Sequence, residues 1–174
     1  SNTGYFSSYE IQVILSMLRI LDNPLQDIPM AAVLASPIVG MDDEELAQIR
    51  SAFKGVSFAQ AALSAMAGEN GYEDEKLKAF ALVFERLRGA VADTPIHELL
   101  YMMLDETGFY RYASAMPAGK RRRQNIDMLI EMAAAYEKTS YKGLFHFVRY
   151  IDIQQKYEID YGEADTAGEN DDVV

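Results

Sequence analysis

The segment DNPLQDIPMAAVLASPIVG, residues 22 to 40, sets three prolines among alanines and leucines that otherwise favour helix. Proline disfavours the helical conformation in the residue before it, but its missing N–H costs nothing in the first turn of a helix. Pro24 is therefore predicted to end one helix, and Pro29 to lie in the first turn of the next. Pro37 is predicted to end that second helix, and Gly40 then permits a turn.

Capping patterns predict where helices begin on both sides of this segment. Ser7 and Glu10 have the spacing of a capping box, and apolar residues then recur every three or four positions, as in an amphipathic first helix. Asp27 is expected to cap the second helix through its side chain. Asp42 and Glu45 form a further capping box at the start of a third helix.

The rest of the chain continues the helical pattern. Thr94 is expected to cap a helix with Pro95 at its first position, and Gly108 follows the end of that helix. Further helices are predicted over 57–67, 77–91, 126–136 and 144–151, the last two separated near Thr139 and Ser140. About eight helices joined by short turns predict an all-α fold, an irregular helical domain that spans residues 1–174.

Composition and charge favour one acidic domain. The chain has 174 residues, 49% of them apolar, which is enough for one substantial core. The formal net charge is -11, which by itself argues against a nucleic-acid partner. Residues 158 to 174 hold seven acidic residues and no basic one, so this acidic tail supplies most of the excess.

Several function classes have no support in the sequence. There is no cysteine, which suits a cytoplasmic protein, and the longest uncharged runs have 14 residues, short of the roughly 18 to 20 that span a membrane. No P-loop and no Gly-x-Ser-x-Gly element is present. We therefore expect no catalytic residue, metal site or cofactor site in this chain, and Ser1 and Asn2 resemble a cloning scar.

One local feature departs from ordinary helix design. Lys120, Arg121, Arg122 and Arg123 are four consecutive cations at the start of a predicted helix, where the helix dipole mildly disfavours positive charge. Consecutive helical residues point about 100° apart, so only two or three of them could contact one phosphate backbone. Two interpretations stay open: a solvated surface paired with nearby acids, or a set of phosphate contacts.

The chain also resembles a known family over nearly its whole length. The similarity is carried by GYFSSYEIQVILSMLRILDNPLQDIPMAAVLASPIVG, PIHELLYMMLDETGFYRYASAMPAGKRRRQN, YEKTSYKGLFHFVRYID and GEADTAGENDDVV. These segments resemble the AddA (RexA) subunit of bacterial ATP-dependent helicase-nucleases, which are UvrD/Rep/RecB-like superfamily 1 helicases. Between about Val56 and Ala92 only the helix pattern is shared.

The resemblance implies a part of a larger enzyme. It implies the largely helical 2B subdomain inserted in the second RecA-like motor domain, with the acidic tail leading back to that motor. The parent would use ATP and Mg²⁺ to unwind DNA and degrade ends during double-strand break repair and recombination. This segment would be non-catalytic, orient duplex DNA, and pack against the motor and nuclease domains of its own chain or against a partner nuclease subunit (AddB/RexB-like).

The same resemblance suggests DNA-contacting residues. Gly40 matches the first glycine of a Gly-Ile-Gly element that lies against duplex backbone in relatives, whereas Asp42 replaces the second and adds unfavourable negative charge. Arg122 and Asn125 match an Arg-x-x-Asn element, in which we interpret Asn125 as structural. The candidate DNA-binding residues are Gly40, Lys120, Arg121, Arg122 and Arg123. The alternative function is an all-α protein-interaction or regulatory module without a nucleic-acid role.

Overall fold

The computed structural model describes residues 4–139 and 143–171, with side chains as far as Asp160. These residues form nine α-helices and two short 3-10 helices, and no strand, so the predicted all-α class is confirmed. The α-helices are α1 (Tyr9–Asp22), α2 (Asp27–Ala35), α3 (Asp43–Ala52), α4 (Phe58–Met66), α5 (Glu75–Ala90), α6 (Ile96–Thr107), α7 (Phe109–Ala115), α8 (Gly119–Tyr136) and α9 (Leu144–Asp171). The 3-10 helices are Tyr5–Ser7 and Glu69–Gly71.

Helix α1 is the centre of the core. It contacts α2, α5, α8 and α9, and most of its apolar side chains are buried. Ile11, Met17, Leu18 and Ile20 are fully enclosed. Burial of each such side chain contributes about 1.5 to 3 kcal/mol to folding, so α1 is the element around which the other helices are organised.

The predictions for the three prolines are confirmed. Helix α1 ends at Asp22, before Pro24, and Pro29 is the third residue of α2. Helix α2 ends at Ala35, with Ser36 as its C-cap before Pro37. The predicted capping box of α3 is also present: Asp42 accepts from the Glu45 N–H at 2.8 Å, and Glu45 accepts from the Asp42 N–H at 3.2 Å.

Two predicted caps near the start of the chain are wrong, because the side chains bond to other partners. The N-cap of α1 is Ser8 without a side-chain bond, while the Ser7 hydroxyl donates to the Gly4 carbonyl at 2.9 Å. Glu10, predicted to complete that box, is buried at 1% exposure. Asp27 does not cap α2 but accepts from the Ala59 N–H at 2.9 Å, which joins the starts of α2 and α4.

The predicted start of α6 is wrong by one residue for a related reason. Pro95 is the N-cap and Thr94 makes no capping bond. The orphan N–H of His97 is instead satisfied by Glu137 at the end of α8, with a nitrogen to oxygen distance of 2.7 Å. The His97 Nδ1 lies 3.0 Å from the second oxygen of Glu137, so a carboxylate distant in sequence does what a local cap would do.

Helix α9 is longer than predicted and runs along α1. It continues to Asp171, so much of the predicted acidic tail is helical. Arg19 on α1 forms an ion pair with Asp152 at 2.7 Å, and Glu158 accepts from the Phe6 N–H at 3.1 Å. The break predicted near Thr139 lies between α8 and α9, and Ser140 is outside the described residues. None of the described helices has the length and apolarity that crossing a bilayer requires.

Candidate nucleic-acid interface

The basic run begins helix α8 at a tight junction with α7. Ala118 precedes the helix in a left-handed conformation, with φ of 59°. A β-carbon at Gly119 would clash with the Ser114 carbonyl, so only glycine fits against the end of α7. The end of α7 therefore fixes where the run of four cations begins.

Arg122 points inward and is part of a polar network that joins α8 to α1. Its Nη1 lies 3.0 Å from Glu10 Oε1, and its Nε donates to the Pro117 carbonyl at 2.8 Å. Asn125 donates to the other Glu10 oxygen at 3.4 Å, and the Tyr5 hydroxyl donates to the Asn125 carbonyl at 2.7 Å. Both residues of the Arg-x-x-Asn element thus hold the buried Glu10 carboxylate, an arrangement that sequence periodicity does not reveal.

The other three cations are exposed. Lys120, Arg121 and Arg123 have no ion-pair partner within 4 Å among the side chains that the structure describes. At about 100° per residue, Lys120 and Arg123 lie on one side of α8 and Arg121 on the other. At most three charges are therefore presented to a ligand, and their contact with DNA stays a prediction.

The turn at Gly40 differs from the exposed cations of the basic run, because its polar groups and the nearby lysine are already bonded within the fold. Gly40 adopts a positive φ of 79°, its N–H donates to the Ser36 carbonyl at 2.7 Å, and its own carbonyl accepts from Lys76 at 2.9 Å. Lys76 also pairs with Glu45 at 2.8 Å, and this hydrogen bond raises the pKa of Lys76. Both backbone polar groups of Gly40 are thus already bonded. Exposed carboxylates at Asp42 and the two residues after it further disfavour a phosphate here.

The structure does not join the two predicted DNA contacts into one site. Gly40 is tied to α5 through Lys76, whereas the basic run packs on α1 and α7. Within the part of the chain that is described, no group of three or more His, Asp or Glu side chains is arranged to hold a metal ion.

Known proteins show what the chain is related to. It matches no protein-family model. It is 42% identical over 175 residues to the AddA subunit of the ATP-dependent helicase/nuclease of Anoxybacillus flavithermus, and 41% identical over 176 residues to that of Bacillus cytotoxicus. The corresponding protein of Bacillus mycoides is 39% identical over 176 residues. Each match covers 99% of this chain.

The chain is homologous to one segment of the AddA helicase/nuclease subunit. The resemblance to AddA is therefore confirmed over the chain as a whole, including residues 56 to 92, where only the helix pattern was evident. The chain spans 14% of the length of these AddA relatives, so the alignment describes one segment of a much longer protein.

Proposed function

We propose that this segment is a non-catalytic accessory subdomain of an ATP-dependent DNA helicase/nuclease, which orients duplex DNA and packs on the motor domains. The observation that carries the proposal is the similarity of the whole chain to a small part of AddA. The whole protein would use ATP and Mg²⁺, act in the cytoplasm in double-strand break repair and recombination, and work with a partner nuclease subunit.

Contacts between the start of the chain and α9 support a subdomain that packs as one unit. The Phe6 N–H donates to Glu158 of α9, and Arg19 binds both Asp152 and Gln155 of the same helix. The first 3-10 helix and α9 therefore lie side by side.

The proposed duplex contact consists of Lys120, Arg121 and Arg123. Neutralising one phosphate changes the log-log salt slope by about -0.9, so three contacts give a slope no steeper than about -2.7. Arg122 adds little, because its guanidinium is engaged by Glu10 and Pro117. A duplex could approach these three side chains without a steric clash, since they extend from one helix start into solvent.

Duplex binding measured by fluorescence anisotropy at several salt concentrations tests this contact. Replacing Lys120, Arg121 and Arg123 together by Ala should weaken binding and flatten the salt slope. The matched control replaces Lys54, Lys138 and Lys156, three exposed lysines elsewhere, and removes the same charge. Equal weakening by both triple variants would show that only net charge matters, and unchanged binding by the first would remove the assignment.

An exposed apolar face on α9 supports packing against another protein surface. Phe145, Ile153 and Tyr157 are more than half exposed and recur at spacings of eight and four residues on one side of the helix. This face also favours the alternative, a protein-interaction module without a nucleic-acid role. Two results together would favour the alternative. The Ile153→Asp variant would lose its association with the remaining AddA domains, and the segment would show no measurable duplex binding.

A further inference from the structure

Helices α6, α7 and α8 enclose a cleft beside the basic run. Its volume is about 350 Å³, at the lower end of the roughly 300 to 1,000 Å³ of small-ligand sites. Leu104 and Ile130 contribute apolar surface, and Tyr101 and Tyr110 contribute aromatic rings. Tyr101 is 58% exposed, so a flat ligand could reach its ring without displacing the core.

The cleft also carries groups of both charges. Asp105 and Asp127 supply carboxylates, and Arg111 supplies a guanidinium. The Tyr110 hydroxyl lies 3.5 Å from Asp127 Oδ2. Burial raises the pKa of Tyr110, as does the neighbouring Asp127, against a smaller opposing effect of Arg123. At neutral pH the Tyr110 hydroxyl is therefore a donor.

The cations of α8 continue from this cleft. At about 100° per residue, Lys120, Arg123 and Asp127 fall within a narrow sector of the helix surface. A phosphate bound by Lys120 or Arg123 would thus be followed along the helix by the carboxylate and the tyrosine rings of the cleft. The arrangement combines cations for a backbone with aromatic rings for bases, which is the chemistry of single-strand binding.

We propose that this cleft binds an unpaired nucleobase, with guanine preferred, next to phosphates held by Lys120 and Arg123. The rings of Tyr101 and Tyr110 stack on the base, and Asp105 and Asp127 accept the adjacent N1–H and N2–H groups that guanine alone presents. The inference rests on the proposed DNA contact and extends it from duplex to a junction with a single strand.

The test compares three labelled DNAs by anisotropy at about 50 mM salt, where phosphate contacts are strong. They are a blunt duplex, the same duplex with a three-nucleotide guanine overhang, and the same duplex with a thymine overhang. We expect the guanine overhang to bind at least about fivefold more tightly than the blunt duplex, the lower limit for one stacked base, and more tightly than the thymine overhang.

Variants with matched controls separate stacking from charge. Tyr101→Ala should abolish the overhang preference without changing blunt-duplex affinity, whereas Tyr157→Ala, on α9 and equally exposed at 58%, should retain the preference. Asp127→Asn should reduce the guanine over thymine preference. Glu131→Gln, which removes the same charge one turn further along α8 outside the cleft, should leave it unchanged.

The outcomes distinguish this proposal from the proposed function. Equal binding of all three DNAs, with Tyr101→Ala indistinguishable from Tyr157→Ala, overturns the cleft and leaves the duplex contact intact. If no DNA binds, the duplex contact fails, and titration of the protein with guanosine 5′-monophosphate followed by NMR tests the cleft alone. Selective shifts of Tyr101 and Asp127 resonances would then support it, and the absence of shifts at millimolar nucleotide would overturn it.

Discussion

The network around Glu10 predicts an asymmetric response to mutation. The Glu10 side chain is 2% exposed and the Arg122 side chain 23% exposed, so the two partners of this ion pair differ in access to water. Arg122→Ala would leave a buried carboxylate with only Asn125, at 3.4 Å, as its remaining partner in the network. Glu10→Gln would leave a partly solvated guanidinium that still bonds the Pro117 carbonyl.

The magnitudes follow from this difference. Removing one partner of a buried ion pair costs about 3 to 5 kcal/mol, and we expect Arg122→Ala to lie near the lower limit, at about 3 kcal/mol, because Arg122 is partly solvated. Glu10→Gln should cost less, about 1 to 2 kcal/mol, since an amide still hydrogen-bonds. Against a total stability of about 5 to 15 kcal/mol, both losses are measurable.

Urea denaturation followed by circular dichroism measures these free energies of unfolding, provided that the transition is two-state. Arg121→Ala is the matched control, an exposed neighbour whose loss should lie within about 0.5 kcal/mol of zero. The double variant Glu10→Gln with Arg122→Ala should be less destabilised than the sum of the two single variants, because no buried charge remains. Equal effects of Arg121→Ala and Arg122→Ala would refute the inward role of Arg122.

Three further predictions concern other features of the fold. Asp42→Ala removes the capping box of α3 and should cost about 1 kcal/mol in urea denaturation. Gly119→Ala should cost about 1 to 3 kcal/mol by the same assay, because its β-carbon meets the Ser114 carbonyl. Tyr5→Phe should cost about 1 kcal/mol at pH 7 through its lost hydrogen bond, and less above pH 10. Burial and the nearby Glu10 raise the pKa of Tyr5 in the folded protein. Above pH 10 the tyrosine of the unfolded chain ionises while the folded one stays protonated, so the wild type loses stability and the Phe variant does not. Denaturation at several pH values detects this change.

Sequence patterns correctly predicted helix ends and caps that depend on interactions between neighbouring residues. Pro29 and Pro37 placed the ends of α2 correctly because a proline acts on its own turn. The capping box of Asp42 was likewise predictable, since its partner is three residues away. Glu10 carries the same local pattern but is bound by Arg122, 112 residues later in the chain. Rules based on local spacing cannot predict a contact between residues so far apart. The pattern therefore predicted a helix cap at a position where the folded chain forms a buried ion pair.

The fold exposes only part of the basic run, and this limits how DNA could lie on the segment. Arg122 is used to hold Glu10, so only Lys120, Arg121 and Arg123 face solvent. Two of these three lie toward the α7 side of α8, where the cleft supplies aromatic surface. At Gly40, by contrast, both backbone groups are bonded and the adjacent α3 begins with exposed acids. A phosphate backbone that follows the favourable charges would therefore run along α7 and α8, and the turn at Gly40 would serve to connect α2 to α3.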